Sequence, residues 1–219
     1  MKILFRLSYF FILVLTFFHQ AWAADASQKL IQALLPYQQA QGNFTQNIYD
    51  QNQNILLSNK GTFALIRSVA GEKSNGKFRW DIKEPMQQLL IADGNKIYFY
   101  DASLQQVTIK KQTVELNASS PAMLLSGNLE KILQQYHIKM NSASNTEDFI
   151  LTPLKSTFFK QLLIEFTISK DKTVLTNMTI IDHLGQRTVI HFSQIIFTAS
   201  PHLFQFMKPK GADIINAVT

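Results

Sequence analysis

The chain has 219 residues, of which 46% are hydrophobic, a formal net charge of +6 and no cysteine. The lack of cysteine excludes disulfides, thiolate metal sites and cysteine nucleophiles, and so modest a charge, scattered from Lys29 to Lys210, does not suggest nucleic-acid binding. Stability must come from a hydrophobic core, and a chain of this size buries roughly 70% of its unfolded surface.

Lys2 and Arg6 precede an almost wholly apolar stretch, Leu7 to Phe18, and Ala21-Trp22-Ala23 has the small-x-small pattern of a cleavage site. Residues 1–23 read as a secretory signal peptide. The competing reading, a membrane anchor, needs roughly 20 apolar residues where about a dozen are present. Residues 24–219 are then expected to form one soluble domain. Ala24 and Asp25, the first mature residues, offer no thiol for lipid attachment.

From Ala26 to Leu35, apolar residues at Leu30, Ile31, Leu34 and Leu35 make a helical stripe that Pro36 should end. The period then changes to two. Strands are expected at Asn43–Tyr49, Ile55–Arg67, Lys77–Ile82, Gln88–Ala92, Lys96–Tyr100, Gln105–Lys110, His137–Met140, Phe149–Thr152, Gln161–Ser169, Val174–Ile181 and Arg187–Phe197, about eleven in all. Asp93-Gly94-Asn95, Lys170-Asp171-Lys172 and Leu184-Gly185-Gln186 carry turn chemistry, and such short links imply antiparallel pairing. The exception is Ser119 to Tyr136. There Ser119 or Ser120 can cap a turn at Pro121, and Leu129, Ile132 and Leu133 give a second short helical stripe. Polar or flexible loops are expected at Gln51–Asn54 and Val69–Gly76.

Several strands are apolar on more than one face. Leu162, Ile164, Phe166 and Ile168 share a face; Val174, Met178 and Ile180 are expected opposite Leu175 and Ile181; Val189, Ile195 and Phe197 opposite Ile190, Phe192 and Ile196. Two readings fit, a packed core with helices on it or a curved sheet around an apolar cavity. Methionines such as Met86, Met123 and Met178 suit either an adaptable lining or ordinary packing.

Arg67 closes the apolar run Gly61–Ile66. An ionised guanidinium there must find hydrogen-bond acceptors or cost several kcal/mol in desolvation. The ordinary alternative is a strand-end arginine whose stem covers apolar surface while its head reaches water. Catalytic signals do not assemble: His137, His183, His191 and His202 are scattered without a metal-ligand spacing, and Ser126-Gly127 lacks a nucleophile elbow.

The order of segments carries more information than any one of them. Asn43-Phe44-Thr45-Gln46, Gly61-Thr62-Phe63 through Arg67, Lys77-Phe78-Arg79-Trp80, Ala92-Asp93-Gly94 with Tyr98-Phe99-Tyr100-Asp101, Gln106-Val107-Thr108, Ser120-Pro121-Ala122-Met123-Leu124-Leu125, and Phe204-Gln205-Phe206 with Pro209-Lys210-Gly211-Ala212-Asp213 follow one another along the chain. In that order the chain resembles the periplasmic outer-membrane lipoprotein carriers, the LolA family.

The resemblance implies a mainly β (α+β) fold, an incomplete and highly curved antiparallel β-barrel whose short helices form an internal lid. It implies a periplasmic carrier, without enzymatic activity or cofactor, expected to be monomeric. Its partners would be acylated lipoproteins, an inner-membrane lipoprotein-releasing ABC transporter and an outer-membrane lipoprotein receptor. By the same resemblance Arg67 is the lid latch, bonding to backbone carbonyls of the lid and first helix. Phe78 and Trp80 lie near the cavity mouth, and Met123, Leu124 and Leu125 belong to the lid. The remaining candidates for cavity or lid are Phe63, Leu65, Leu90, Phe99, Ile164, Phe166, Met178, Ile180 and Phe192. One departure is visible: many members place proline directly after this arginine, whereas here Ser68 follows and Val69–Gly76 reads as an insertion. A periplasmic free-lipid or glycolipid binder of the same fold would share these patterns. A non-binding structural or stress-sensing domain would instead have a filled core.

Overall fold

Period-two alternation puts successive side chains on opposite faces of a strand, so a chain of such segments joined by tight turns folds into a sheet with one apolar face. The computed structural model describes residues 25–68, 75–113, 125–155, 158–170 and 172–216. Helix α1 occupies residues 25–34 and passes into a 3-10 turn at Leu35–Gln38, where Pro36 supplies no backbone donor. Then follow β1 (Gln39–Tyr49), β2 (Ile55–Ile66), β3 (Lys77–Glu84), β4 (Gln88–Ala92), β5 (Lys96–Asp101) and β6 (Gln106–Lys111). A short helix α2 (Leu129–Leu133) is capped by Asn128, whose side chain accepts from the Lys131 N–H. The chain continues through β7 (Tyr136–Ser142), β8 (Thr146–Pro153), β9 (Phe159–Ser169), β10 (Lys172–Asp182), β11 (Arg187–Ile196), a 3-10 turn (Pro201–Phe204) and β12 (Asp213–Asn216).

These make a single open sheet in the order β12-β6-β5-β4-β3-β2-β1-β11-β10-β9-β8-β7. All neighbours are antiparallel except β12, which runs parallel to β6 with Ile214 opposite Val107. The twelfth strand and its parallel pairing depart from the expected all-antiparallel set of about eleven. Four consecutive residues, all exposed, carry no periodic signal for it. The reason is the route of the chain: after β11 it crosses the outer face of the sheet. On that route Ala199 and Phe204 are buried with Ala64, Leu203 O accepts from Arg79 Nη1 at 3.2 Å, and the Phe206 ring stacks on Tyr98 at 4.7 Å. The strap thus covers apolar groups on the convex side.

On the concave side the expected faces need two corrections. The β9–β10 register shifts between Leu175 and Asn177, so Leu175, Met178 and Ile180 all stand opposite the inward residues Phe166, Ile164 and Leu162. In β11, Gln194 adopts φ 52°, and the pairing with β1 shifts there. Ile190, Phe192 and, beyond the shift, Ile195 then meet the core, while Ile196 and Phe197 are exposed. Each irregularity inserts one residue and flips the alternation beyond it. The turn expected to start at Pro121 and most of the Val69–Gly76 loop lie outside the described residues. Among the described residues, no helix is long and apolar enough to cross a membrane.

One glycine fixes how closely the aromatic layer packs. A Cβ on Gly61 would sit 2.1 Å from the Asp81 carbonyl oxygen and 2.8 Å from the Phe44 ring, positions no real side chain takes. Gly61→Ala is therefore expected to destabilise the fold by about 1 to 3 kcal/mol. A lower urea midpoint with an unchanged slope would show it; a wild-type midpoint would disprove the contact.

Candidate functional site

The concave face of the sheet carries one continuous apolar cluster. Aromatic rings form its floor: Phe44 of β1 stacks on Trp80 of β3 at 3.6 Å, Phe78 lies 5.9 Å from Trp80, and Phe63 of β2 meets Phe192 of β11 edge-on at 5.2 Å. The floor extends across β9 and β10 through Leu162, Ile164, Phe166, Leu175 and Met178. Above it, Ala26, Leu30 and Leu34 of α1 and Leu125, Leu129, Ile132 and Leu133 around α2 are buried in the same cluster. The face a ligand would use is covered by the protein's own helices.

Arg67 stands at the edge of this cover, just past the end of β2, and only 5% of it is exposed. Its backbone N–H donates to Gln38 O at 2.8 Å, and the next residue, Ser68, donates to Ser126 O at 2.9 Å. The arginine therefore lies where the end of α1, the end of β2 and the segment entering α2 converge. Its Nε donates to Tyr37 O at 3.4 Å, a long bond, and neither Nη1 nor Nη2 has a partner among the described residues. Burial brings the guanidinium down to about 10, because a charged group in a low-dielectric site loses its hydration. The folded protein then holds this proton less tightly than the unfolded chain. At neutral pH the charge opposes folding by about 3 kcal/mol, a penalty that fades only as pH rises through 10. The ordinary reading of a water-reaching strand-end arginine is overturned by this burial.

Polar ties hold the surroundings of Arg67 in place. Tyr37, itself buried, accepts from the Leu175 N–H at 2.7 Å at the irregularity of β10, and burial pushes its phenol upward against that bond. Gln112 donates from Nε2 to Gly76 O at 2.9 Å and accepts from the Gly94 N–H at 3.0 Å; Asn75 donates to Gln112 O at 3.2 Å. Asn75 and Gly76 are thus fastened to the residue that follows β6, which is itself tied to the β4–β5 turn. A Cβ on Gly76 would fall 1.7 Å from Ser126 O, so the loop end and the entry to α2 are in direct contact.

Of the sequence-derived candidates, Phe63, Leu65, Phe78, Leu125, Ile164, Phe166, Met178 and Phe192 are buried together in the concave cluster, and Trp80, Leu90 and Ile180 pack against it half-buried. Phe99 stands opposite Leu90 in the sheet but is 38% exposed, beyond the reach of the helical cover. Met123 and Leu124 lie outside the described residues. Phe78 is fully enclosed within the cluster, and Met86 is 56% exposed. Sequence reasoning missed Tyr37, Gln112 and Ser126, single polar residues at element ends. Phe44 is not among the sequence-derived candidates, although its period-two position opposite Gly61 puts it on the floor. Among the described residues, no group of three or more His, Asp or Glu is placed to hold a metal ion.

Residues 36–207 match the family described as outer membrane lipoprotein carrier protein LolA. The chain belongs to this family. Among similar LolA-type proteins, the outer-membrane lipoprotein carrier protein of Pseudomonas syringae pv. tomato is 36% identical over 191 residues, 86% of each chain. That of Legionella pneumophila (strain Corby) is 31% identical over 211 residues, 94% of this chain and 98% of the other. A solved structure of an uncharacterized conserved protein from Thermus thermophilus superimposes with a TM-score of 0.55 at 9% identity, covering 89% of this chain and 99% of that one. That last likeness speaks for the fold alone.

The strained position of Arg67 in this LolA-family chain has a measurable consequence. Replacing a buried, poorly paired charge with an apolar side chain of similar length is neutral to stabilising. Arg67→Met is expected to raise the unfolding free energy at pH 7 by about 1 to 3 kcal/mol. Urea denaturation checks it, and a loss of stability would mean that the guanidinium has strong partners after all.

Proposed function

We propose that the protein is a periplasmic carrier that receives acylated lipoproteins from an inner-membrane lipoprotein-releasing ABC transporter, shelters their acyl chains on the concave apolar face, and hands them to an outer-membrane receptor. Membership of the LolA family supports the lipoprotein as cargo. The observation that carries the mechanism is the covered apolar face with a costly charge at the margin of its cover. Residues 1–23 would direct export and be removed before the protein acts.

Shielding acyl chains from water gains roughly 0.8 kcal/mol per methylene, tens of kcal/mol for a triacylated cargo if nothing opposed it. A carrier that kept all of this would not unload. Displacing α1 and the α2 segment supplies the opposition, because their apolar side chains must leave the face that the acyl chains enter. Arg67 biases the choice. In the closed form its charge is desolvated but tethers the end of α1; in the open form it regains water and loses the tether. The role assigned to it is therefore a lid latch kept weak by its own desolvation, with Phe63, Leu65, Trp80, Leu90, Ile164, Phe166, Met178, Ile180 and Phe192 as the face that receives lipid and Leu125 as part of the cover.

The test is release and transfer. Purified mature protein added to spheroplasts carrying radiolabelled lipoprotein should release it in soluble complex, and mass spectrometry of the complex should find triacylated polypeptide and not free lipid or glycolipid. Arg67→Met removes the charge that opposes closure, so it should favour the covered form, take up lipoprotein less readily and pass on what it holds at least tenfold faster. Equal transfer rates for the variant and the wild type would remove the latch; failure to release lipoprotein would remove the carrier.

A further inference from the structure

Among the described residues β7 ends the sheet, pairing with β8 on one side only. The direction of its backbone groups follows from two bonds at its ends: the Ala143 N–H donates to Thr146 O at 3.0 Å, and the Leu154 N–H donates to Gln135 O at 2.9 Å. Both pairs fall on odd-numbered residues of this strand, so in an antiparallel ladder the odd residues face β8 and the even residues face away. The N–H and C=O groups of Ile138 and Met140 therefore point out along the open edge. Beside that edge lies a cleft of about 610 Å³, walled by the whole of β7 and by Asp25, Ala26, Ser27 and Lys29 of α1.

We infer that this edge binds the cargo's polypeptide, as an added β-strand formed by the extended residues that follow the acylated first residue of a lipoprotein. The inference rests on the carrier function proposed above. Three observations point to this occupant. The edge offers main-chain donors and acceptors in a row, which grip an extended peptide whatever its side chains, as a carrier of many different lipoproteins requires. The side chains of the same residues face inward: Ile138 belongs to the concave cluster and Met140 packs against it. A strand added here continues the apolar face, and its first residue lies beside the place where acyl chains would be held. The cleft also has the volume of a pocket that encloses a small ligand, so a short segment enters without displacing β8.

Amide hydrogen exchange of the mature protein, followed residue by residue, tests the assignment. The two probes are a triacylated lipoprotein and an N-acyl-S-diacylglyceryl-cysteine amide that has the acyl chains and no following residues. Both are expected to displace a hydrophobic dye. The lipoprotein alone is expected to slow exchange at Ile138 and Met140, by at least tenfold. Met140→Pro removes an edge donor without touching the β8 ladder, and should weaken lipoprotein binding threefold to tenfold relative to Met140→Ala while leaving the lipid-cysteine unaffected. Dye displacement by the lipoprotein with unchanged exchange at these two amides overturns the inference, as does equal protection by the lipid-cysteine. If neither probe displaces the dye, the carrier function fails first and the edge assignment falls with it. Should Met140→Pro not fold, the exchange experiment decides alone.

Discussion

An open sheet with an apolar concave face cannot leave that face to water, and the rest of this structure follows from what covers it. Here the cover is internal: α1 and the segment from Leu125 to Leu133 put Leu30, Leu34, Leu125, Leu129, Ile132 and Leu133 onto a floor of aromatic and branched side chains. Burying six aliphatic side chains gains roughly 9 to 18 kcal/mol. That is less than the gross gain from several acyl chains, so displacing the cover offsets only part of it. In the proposed mechanism cover and cargo compete for one surface, and polar contacts at the margin of the cover adjust the balance.

Arg67 is placed where such contacts count. A guanidinium with a single long bond to Tyr37 O among the described residues is a poor way to stabilise a core. It is a reasonable way to keep one state from becoming too stable. Around it the polar ties of Tyr37, Gln112 and Asn75 fix the backbone of three neighbouring elements, so the charge stands in rigid surroundings. Rigidity of the frame and strain at one residue together favour a two-state cover over a gradual loosening.

The sheet was legible because its signal is redundant: period two recurs in strand after strand, and glycine-containing turns such as Asp93-Gly94-Asn95 punctuate it. The helix ended by Pro36 and the stripe at Leu129, Ile132 and Leu133 were legible for the same reason. The faces of β10 and β11 were not, since one inserted residue near Thr176 and another at Gln194 reverse the alternation without altering composition. β12 was not legible because its pairing depends on a strap crossing the outer face, a purely tertiary fact. Most of the candidate residues named from the sequence are buried together on the concave face. Their partition between floor and cover, the enclosure of Phe78 and the polar ties to Arg67 were not legible, because a lone polar residue at the end of an element leaves no period to read.

The proposed competition between cover and cargo predicts a change in distance. The chain has no native cysteine, so spin labels can be placed at exposed Thr62→Cys on β2 and exposed Glu130→Cys on α2 without further change. Pulsed dipolar spectroscopy then reads the separation of sheet and cover with and without triacylated lipoprotein. Displacement of the cover requires a longer and broader distance distribution in the loaded protein. An unchanged distribution with lipoprotein bound would contradict it, and would put the acyl chains somewhere other than the concave face.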